Sequence, residues 1–195
     1  MSQEMLVIAI CGKRFVGKDT FVDFLVPQLE AEGFKVERRS LASVFKASFA
    51  RDKHLDYERL LSDRNYKEQH RSKMISAFDH WYAARPSFCC EEVLGGLTNL
   101  ADILIITDVR LRADLEFLAQ NTNLIKIKLA APDAVRIKFG WKFDDKIDHH
   151  WTETDLESLP NSDFICIENP GDKIGFEKLA CDFVHAIKQV RHNLL

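Results

Sequence analysis

The chain has 195 residues, 46% of them apolar, which suits one large domain with a sizeable buried core better than two small ones. Lys and Arg number 27 against 30 Asp and Glu, a formal net charge of -3, so a surface built as a whole for nucleic acid or an anionic membrane is excluded and any basic site must be local. Five cysteines without C-x-x-C spacing exclude a zinc set and read as free thiols, and no apolar run approaches a membrane span. The start Met1 to Met5 is too short and polar for a signal peptide, and the terminal Asn193-Leu194-Leu195 matches no targeting tripeptide, so a cytoplasmic enzyme is expected.

Apolar runs alternate with helical patterns along the chain. A strand over Leu6–Cys11 precedes a helix marked by Phe21, Phe24, Leu25 and Leu29, with Gly33 as its C-terminal cap. A short second strand is expected over 35–40. From 41 to 98 strand signal disappears and amphipathic helical stretches take over. Strands follow at 103–106, 124–129 and 164–167, with helices after the third strand, after Pro132, and over 176–190. Five strands separated by helices predict an α/β fold with a parallel sheet covered on both faces, a helical insert at about 41–98 and a polar segment at about 139–159, all in one domain spanning 1–195.

The stretch after the first strand carries the clearest chemistry. Gly12-Lys13-Arg14-Phe15-Val16-Gly17-Lys18-Asp19-Thr20 has the G-x-x-x-x-G-K spacing of a phosphate-binding loop, between a strand and a helix as that motif requires. Glycines let backbone amides close around phosphate oxygens, and the helix N-terminus adds partial positive charge. Lys18 is expected against the outer phosphates of a nucleotide. Asp19 replaces the usual hydroxyl residue and can reach magnesium directly or through water, with Thr20 one position later. The competing reading is a plain strand-to-helix turn with a surface lysine.

Ligands in such sheets gather beyond the carboxyl ends of the strands. Asp108 and Arg110 follow the third strand. Asp108 reads either as a magnesium carboxylate or as the N-cap of the next helix. Arg110 reads as a phosphate contact, and Arg112 is left open. In the insert, Tyr66, Lys67 and Arg71 lie within about a turn of helix, so they make either an anion-binding face or a solvated one. Cys89-Cys90 reads as buried packing. The 139–159 segment holds Asp144, Asp145, Asp148, His149, His150 and Glu153 in no zinc spacing; it reads as a mobile lid over the phosphates, its cations Arg136 and Lys138, its histidines exposed polar residues.

Several of these residues carry a family resemblance. Gly12-Lys13-Arg14 with Gly17-Lys18-Asp19; Arg59-Leu60-Leu61 with Tyr66-Lys67-Glu68, Arg71 and Met74-Ile75; Pro86, Phe88 and Cys90; Asp108 with Arg110; Gly140-Trp141 with Phe143; and Ile167-Glu168-Asn169 with Gly171 together resemble the animal-type phosphomevalonate kinases. These are P-loop kinases of the nucleoside-monophosphate-kinase fold, and the likeness covers most of the chain. It implies transfer of the ATP γ-phosphoryl group to mevalonate 5-phosphate with Mg2+, in a monomer without nucleic-acid or membrane partners. It further implies Lys18, Asp108 and Arg110 as catalytic residues and Asp19 and Asp108 at the metal. The loop with Arg136 and Lys138 would lie at the nucleotide, and Tyr66, Lys67, Arg71, Arg110 and Asn169 at the substrate.

Two positions depart from the family pattern: Phe139 stands where it has a basic residue before Gly-Trp, and Leu111 where it has a second arginine. His150-Trp151-Thr152-Glu153 also resembles the phage-type deoxynucleoside monophosphate kinases, which share the Gly-Lys-Asp loop. A nucleotide-binding module without catalysis is the alternative from another class; a GTPase is disfavoured by the lack of an Asn-Lys-x-Asp segment.

Overall fold

A computed structural model describes residues 5–97 and 101–192, and the polar start and the terminal tripeptide lie outside them. The chain divides into two compact units, one formed by Met1–Arg38 with Asn99–Leu195 and the other by Arg39–Thr98. Among the described residues no helix is long and apolar enough to cross a membrane.

The first unit holds a five-stranded sheet of β1 (Leu6–Cys11), β2 (Val36–Arg39), β3 (Ile103–Val109), β4 (Asn123–Ala130) and β5 (Ile165–Glu168), in the order β2-β3-β1-β4-β5. β1 pairs in parallel with β3 and β4, and β4 with β5. The central strands are continuous apolar runs because helices cover both faces: Val7 through Cys11 and Ile103 through Ile106 are buried. β2 and β5, at the edges, are short and half exposed. β3 runs further than the apolar run predicts, since after an irregularity Cys11 pairs with Val109. Asp108 therefore lies inside the strand, not beyond it.

Helix α1 (Lys18–Ala31) packs on α10 (Lys173–His192), whose Phe176, Ala180, Phe183, Val184 and Ile187 recur on one face at helical spacing. Phe21 and Phe176 meet with ring centroids 5.4 Å apart. Gly33, at φ 84°, ends α1 as expected: its amide donates to Glu30 and that of Phe34 to Leu29, the paired bonds of a left-handed C-terminal cap.

The second unit contains α2 (Leu41–Lys53), α3 (Tyr57–Ser62), α4 (Arg64–Ala84) and α5 (Phe88–Gly95). Side chains of Ser40, Asp56 and Asp63 cap the first three. An aromatic cluster of Phe45, Phe49, Phe78, Trp81 and Phe88 takes the place of a sheet in its core. Cys89 and Cys90 are buried in packing.

The first unit is completed by α6 (Arg112–Asn121), α7 (Asp133–Lys138), α8 (Asp145–Asp148), α9 (Trp151–Thr154) and two turns of 3-10 helix. α8, α9 and the first of those turns fall in the 139–159 segment.

Candidate active site

The loop between β1 and α1 takes the backbone shape that its glycines permit. Gly12 has φ 137° and Gly17 φ 95°. A Cβ on Gly12 would sit 2.3 Å from the Leu129 carbonyl oxygen, so only glycine fits. Phe15 adopts φ 64°, a left-handed conformation that costs a side-chain-bearing residue about 1–2 kcal/mol. α1 starts after Gly17 with no side-chain cap, which leaves its first amides suited to an anion.

Lys18, only 9% exposed, folds back so that Nζ donates to the carbonyls of Gly12 at 2.6 Å and Lys13 at 2.8 Å. Burial lowers its pKa from 10.5 to about 7; Arg110 acts in the same direction, and Asp108 and Asp19 oppose both. Desolvation is therefore the main cost of charging Lys18, and phosphate oxygens at its Nζ would offset it. Burial pushes the neighbouring Cys11 thiol up to about 12, which makes it inert.

Asp108 does not cap the following helix. α6 begins at Arg112, its cap position is Leu111, and no side chain caps it. Asp108 instead sits near enough to act on Lys18. Asp19 is exposed and pairs with Arg38 at 2.7 Å, which also holds Asp23 at 2.6 Å. Among the described residues no group of three His, Cys, Asp or Glu side chains could enclose an ion alone. Magnesium held mainly by phosphates and water needs only one or two carboxylates, and Asp19 and Asp108 fit that donor set.

The 139–159 segment lies against this loop through its acids. Asp148 accepts from Nε and Nη2 of Arg14 at 2.8 and 2.6 Å. Glu153 accepts from the Arg14 amide at 3.1 Å and pairs with Arg110. Lys13 pairs with Glu157. Arg112 reaches Asp155 through its amide at 2.7 Å and bonds Ser158 through its guanidinium. His149 meets Asp145 at 2.9 Å, and His150 caps α9 through Thr152. Both histidines are therefore accounted for by local structure.

A family model described as phosphomevalonate kinase matches residues 10–124, a span that contains the loop, Lys18, Asp108 and Arg110. The chain belongs to the phosphomevalonate kinase family. It is 28% identical over 172 residues to the phosphomevalonate kinase of Drosophila melanogaster, covering 85% of this chain and 88% of that one. Among solved structures it resembles shikimate kinase from Acinetobacter baumannii in complex with shikimate, with a TM-score of 0.51 at 14% identity, covering 96% of this chain and 95% of that chain. That likeness speaks to fold alone, and bears out the expected P-loop kinase architecture. The chain is a phosphotransferase that uses ATP.

Within this family framework the two departures take on physical meaning. Leu111 is 2% exposed and packs at the start of α6, where a charge would be buried. Phe139 is 52% exposed after α7. Arg136, the expected lid cation, is not exposed: its guanidinium is buried, stacks 3.8 Å from the Trp141 ring centroid, donates from Nε to the Arg14 carbonyl at 3.3 Å and pairs with Asp133 at 2.9 Å. Lys138 donates to the Gly171 carbonyl at 3.0 Å.

Asn169 is buried and bridges two loops. Its Nδ2 donates to the Val16 carbonyl at 3.0 Å, and its Oδ1 accepts from the Gly171 amide at 2.9 Å. Its amide is thereby engaged inside the fold, as a brace behind the phosphate loop. In the second unit, Tyr66 lies under Arg59 at 4.2 Å, and Arg71 makes a bidentate pair with Glu68 at 2.6 and 2.5 Å. Sequence reasoning noticed the acids of 139–159 without assigning them partners. Their density opposite a loop rich in Lys and Arg was the signal.

Proposed function

We propose that this chain transfers the γ-phosphoryl group of ATP to the phosphate of mevalonate 5-phosphate, giving mevalonate 5-diphosphate and ADP in the mevalonate route to isoprenoids. The observation that carries this reading is a buried Lys18 in a loop of phosphate-binding spacing, with Arg110 and Asp108 near enough to act on it, in a chain of this family. Lys18 and the loop amides would hold the outer phosphates of ATP. Arg110 would draw in the acceptor phosphate and offset repulsion between the two anions, while Lys67 and Arg71 would bind the acceptor with Tyr66 beside them. A phosphate acceptor is already ionised, so the protein's work is to align the attacking oxygen and exclude water rather than to remove a proton. Magnesium at Asp19 and Asp108 would neutralise charge developing on the phosphates. Asn169 and Arg136 would support the loop from behind. The same reading takes the enzyme as a cytoplasmic monomer.

A coupled assay of ADP release tests this with mevalonate 5-phosphate, dTMP and dGMP in parallel. Turnover of mevalonate 5-phosphate alone is expected. Preference for dTMP or dGMP would replace the acceptor, and nucleotide binding without ADP release from any acceptor would leave a non-catalytic module.

A further inference from the structure

We propose that Asp148 is a positioning residue for nucleotide binding, whose carboxylate fixes Arg14 and through it the shape of the phosphate loop. Asp148 ends α8 and is 7% exposed. Its Oδ1 accepts from Arg14 Nε at 2.8 Å and Trp141 Nε1 at 3.1 Å, and its Oδ2 from Arg14 Nη2 at 2.6 Å and the Asp144 amide at 2.8 Å. Arg136 Nη2 lies 3.6 Å away. The carboxylate is surrounded by donors, so it has one orientation.

Arg14 is held in consequence at every polar group. Its guanidinium is bound by Asp148 and by the Lys142 carbonyl at 2.7 Å, its amide by Glu153 and its carbonyl by Arg136. The next residue is Phe15, in the left-handed conformation that unaided backbone disfavours. A strained residue keeps its geometry only when its neighbours are fixed, and Arg14 is the neighbour that is fixed. Arg14 accordingly serves as an anchor of the loop, its guanidinium bonded to Asp148 and the Lys142 carbonyl of the 139–159 segment. A buried pair of this kind adds little net stability over an apolar substitute, whereas its loss leaves charges unpaired and the loop free to move.

This inference rests on ATP being the loop's ligand, as the proposed function has it. Its test reads nucleotide binding apart from acceptor chemistry. Calorimetric Kd values for a non-hydrolysable ATP analogue are measured on the full chain for wild type, Asp148→Asn, Arg14→Gln and the double variant, beside steady-state KM values for both substrates. Each single variant is expected to raise Kd and the KM for ATP by about tenfold or more while the acceptor KM holds, because small misplacements of binding groups are costly. The double variant is expected to be no worse than the weaker-binding single, since both remove the same link. An unchanged Kd in either single variant, an acceptor KM that rises alongside that for ATP, or effects that multiply in the double would overturn the proposal. Should Asp148→Asn not accumulate as folded protein, Arg14→Gln, which leaves Asp148 its Trp141 and Asp144 donors, decides the matter alone. A wild-type chain that binds the analogue yet ignores mevalonate 5-phosphate refutes the proposed acceptor and leaves this reading standing.

Discussion

The ammonium group of Lys18 lies 2.6 Å from the carbonyl oxygen of Gly12, so the lysine is bonded to its own loop. Phosphate oxygens would have to replace that carbonyl and the one at Lys13 as its partners. Replacement of Lys18 by Met keeps the buried stem and removes the charge. The fold should survive, and kcat should fall by at least about 100-fold, the scale seen when a single transition-state charge partner is lost. Thermal melting beside single-turnover kinetics checks both halves; retained kcat would remove Lys18 from the chemistry.

The same residue makes nucleotide binding sensitive to pH. Free Lys18 has a pKa of about 7, lowered by burial and then by Arg110. Bound phosphates favour its charged form and raise that value. Between the two pKa values the complex holds a proton that the free protein has released, so binding takes up a proton and weakens as pH rises above 7. The slope approaches about tenfold in Kd per pH unit, and below 7 this group adds none. Calorimetry near pH 8 in buffers of different ionisation enthalpy should report uptake approaching one proton, absent in Lys18→Met; wild-type binding without uptake contradicts the assignment.

Removing the side chain of Asn169 strips the Val16 carbonyl and the Gly171 amide of buried partners. Asn169→Ala should cost about 1–3 kcal/mol, and Tm should fall by roughly 2–4 °C for each kcal/mol. Because Val16 belongs to the loop, KM for ATP should rise as well. A melt indistinguishable from wild type would mean that water replaces the amide without loss.

For Lys67 the expected outcome is kinetic. Lys67→Ala should raise KM for the acceptor more than for ATP, with little change in Tm, since the residue sits near the start of α4 without being part of its buried face. Steady-state kinetics varying each substrate in turn separates the cases. The reverse ranking would move Lys67 to the nucleotide side.

Much of the site was readable from local pattern. Apolar runs marked the strands, and the glycine spacing between Leu6–Cys11 and Phe21 marked the loop, because backbone shape and burial at these positions depend on adjacent residues. Boundaries were less readable. β3 extends through Asp108 because Cys11 offers it a partner across the sheet. α1 runs through Pro27 because Val22, Leu25 and Leu29 bury a continuous face, and that outweighs a missing amide. Arg136 was expected as a cation of the lid, and its burial against Trp141 and the Arg14 carbonyl was not legible.

The chain's own pattern was enough to establish an alternating α/β fold and a glycine-bounded loop between β1 and α1. It did not reveal which carboxylate meets which guanidinium. Arg14 and Asp148 stand 134 positions apart, and Val16 and Asn169 stand 153 apart. The strand order β2-β3-β1-β4-β5 sets the ends of β1 and β4 side by side, and the segments that follow converge there. Ion pairs and hydrogen bonds act over a few ångströms of space irrespective of chain separation, so periodicity along the sequence carries no record of them. The pairing was settled only when packing of the sheet and its helices brought those distant side chains into reach.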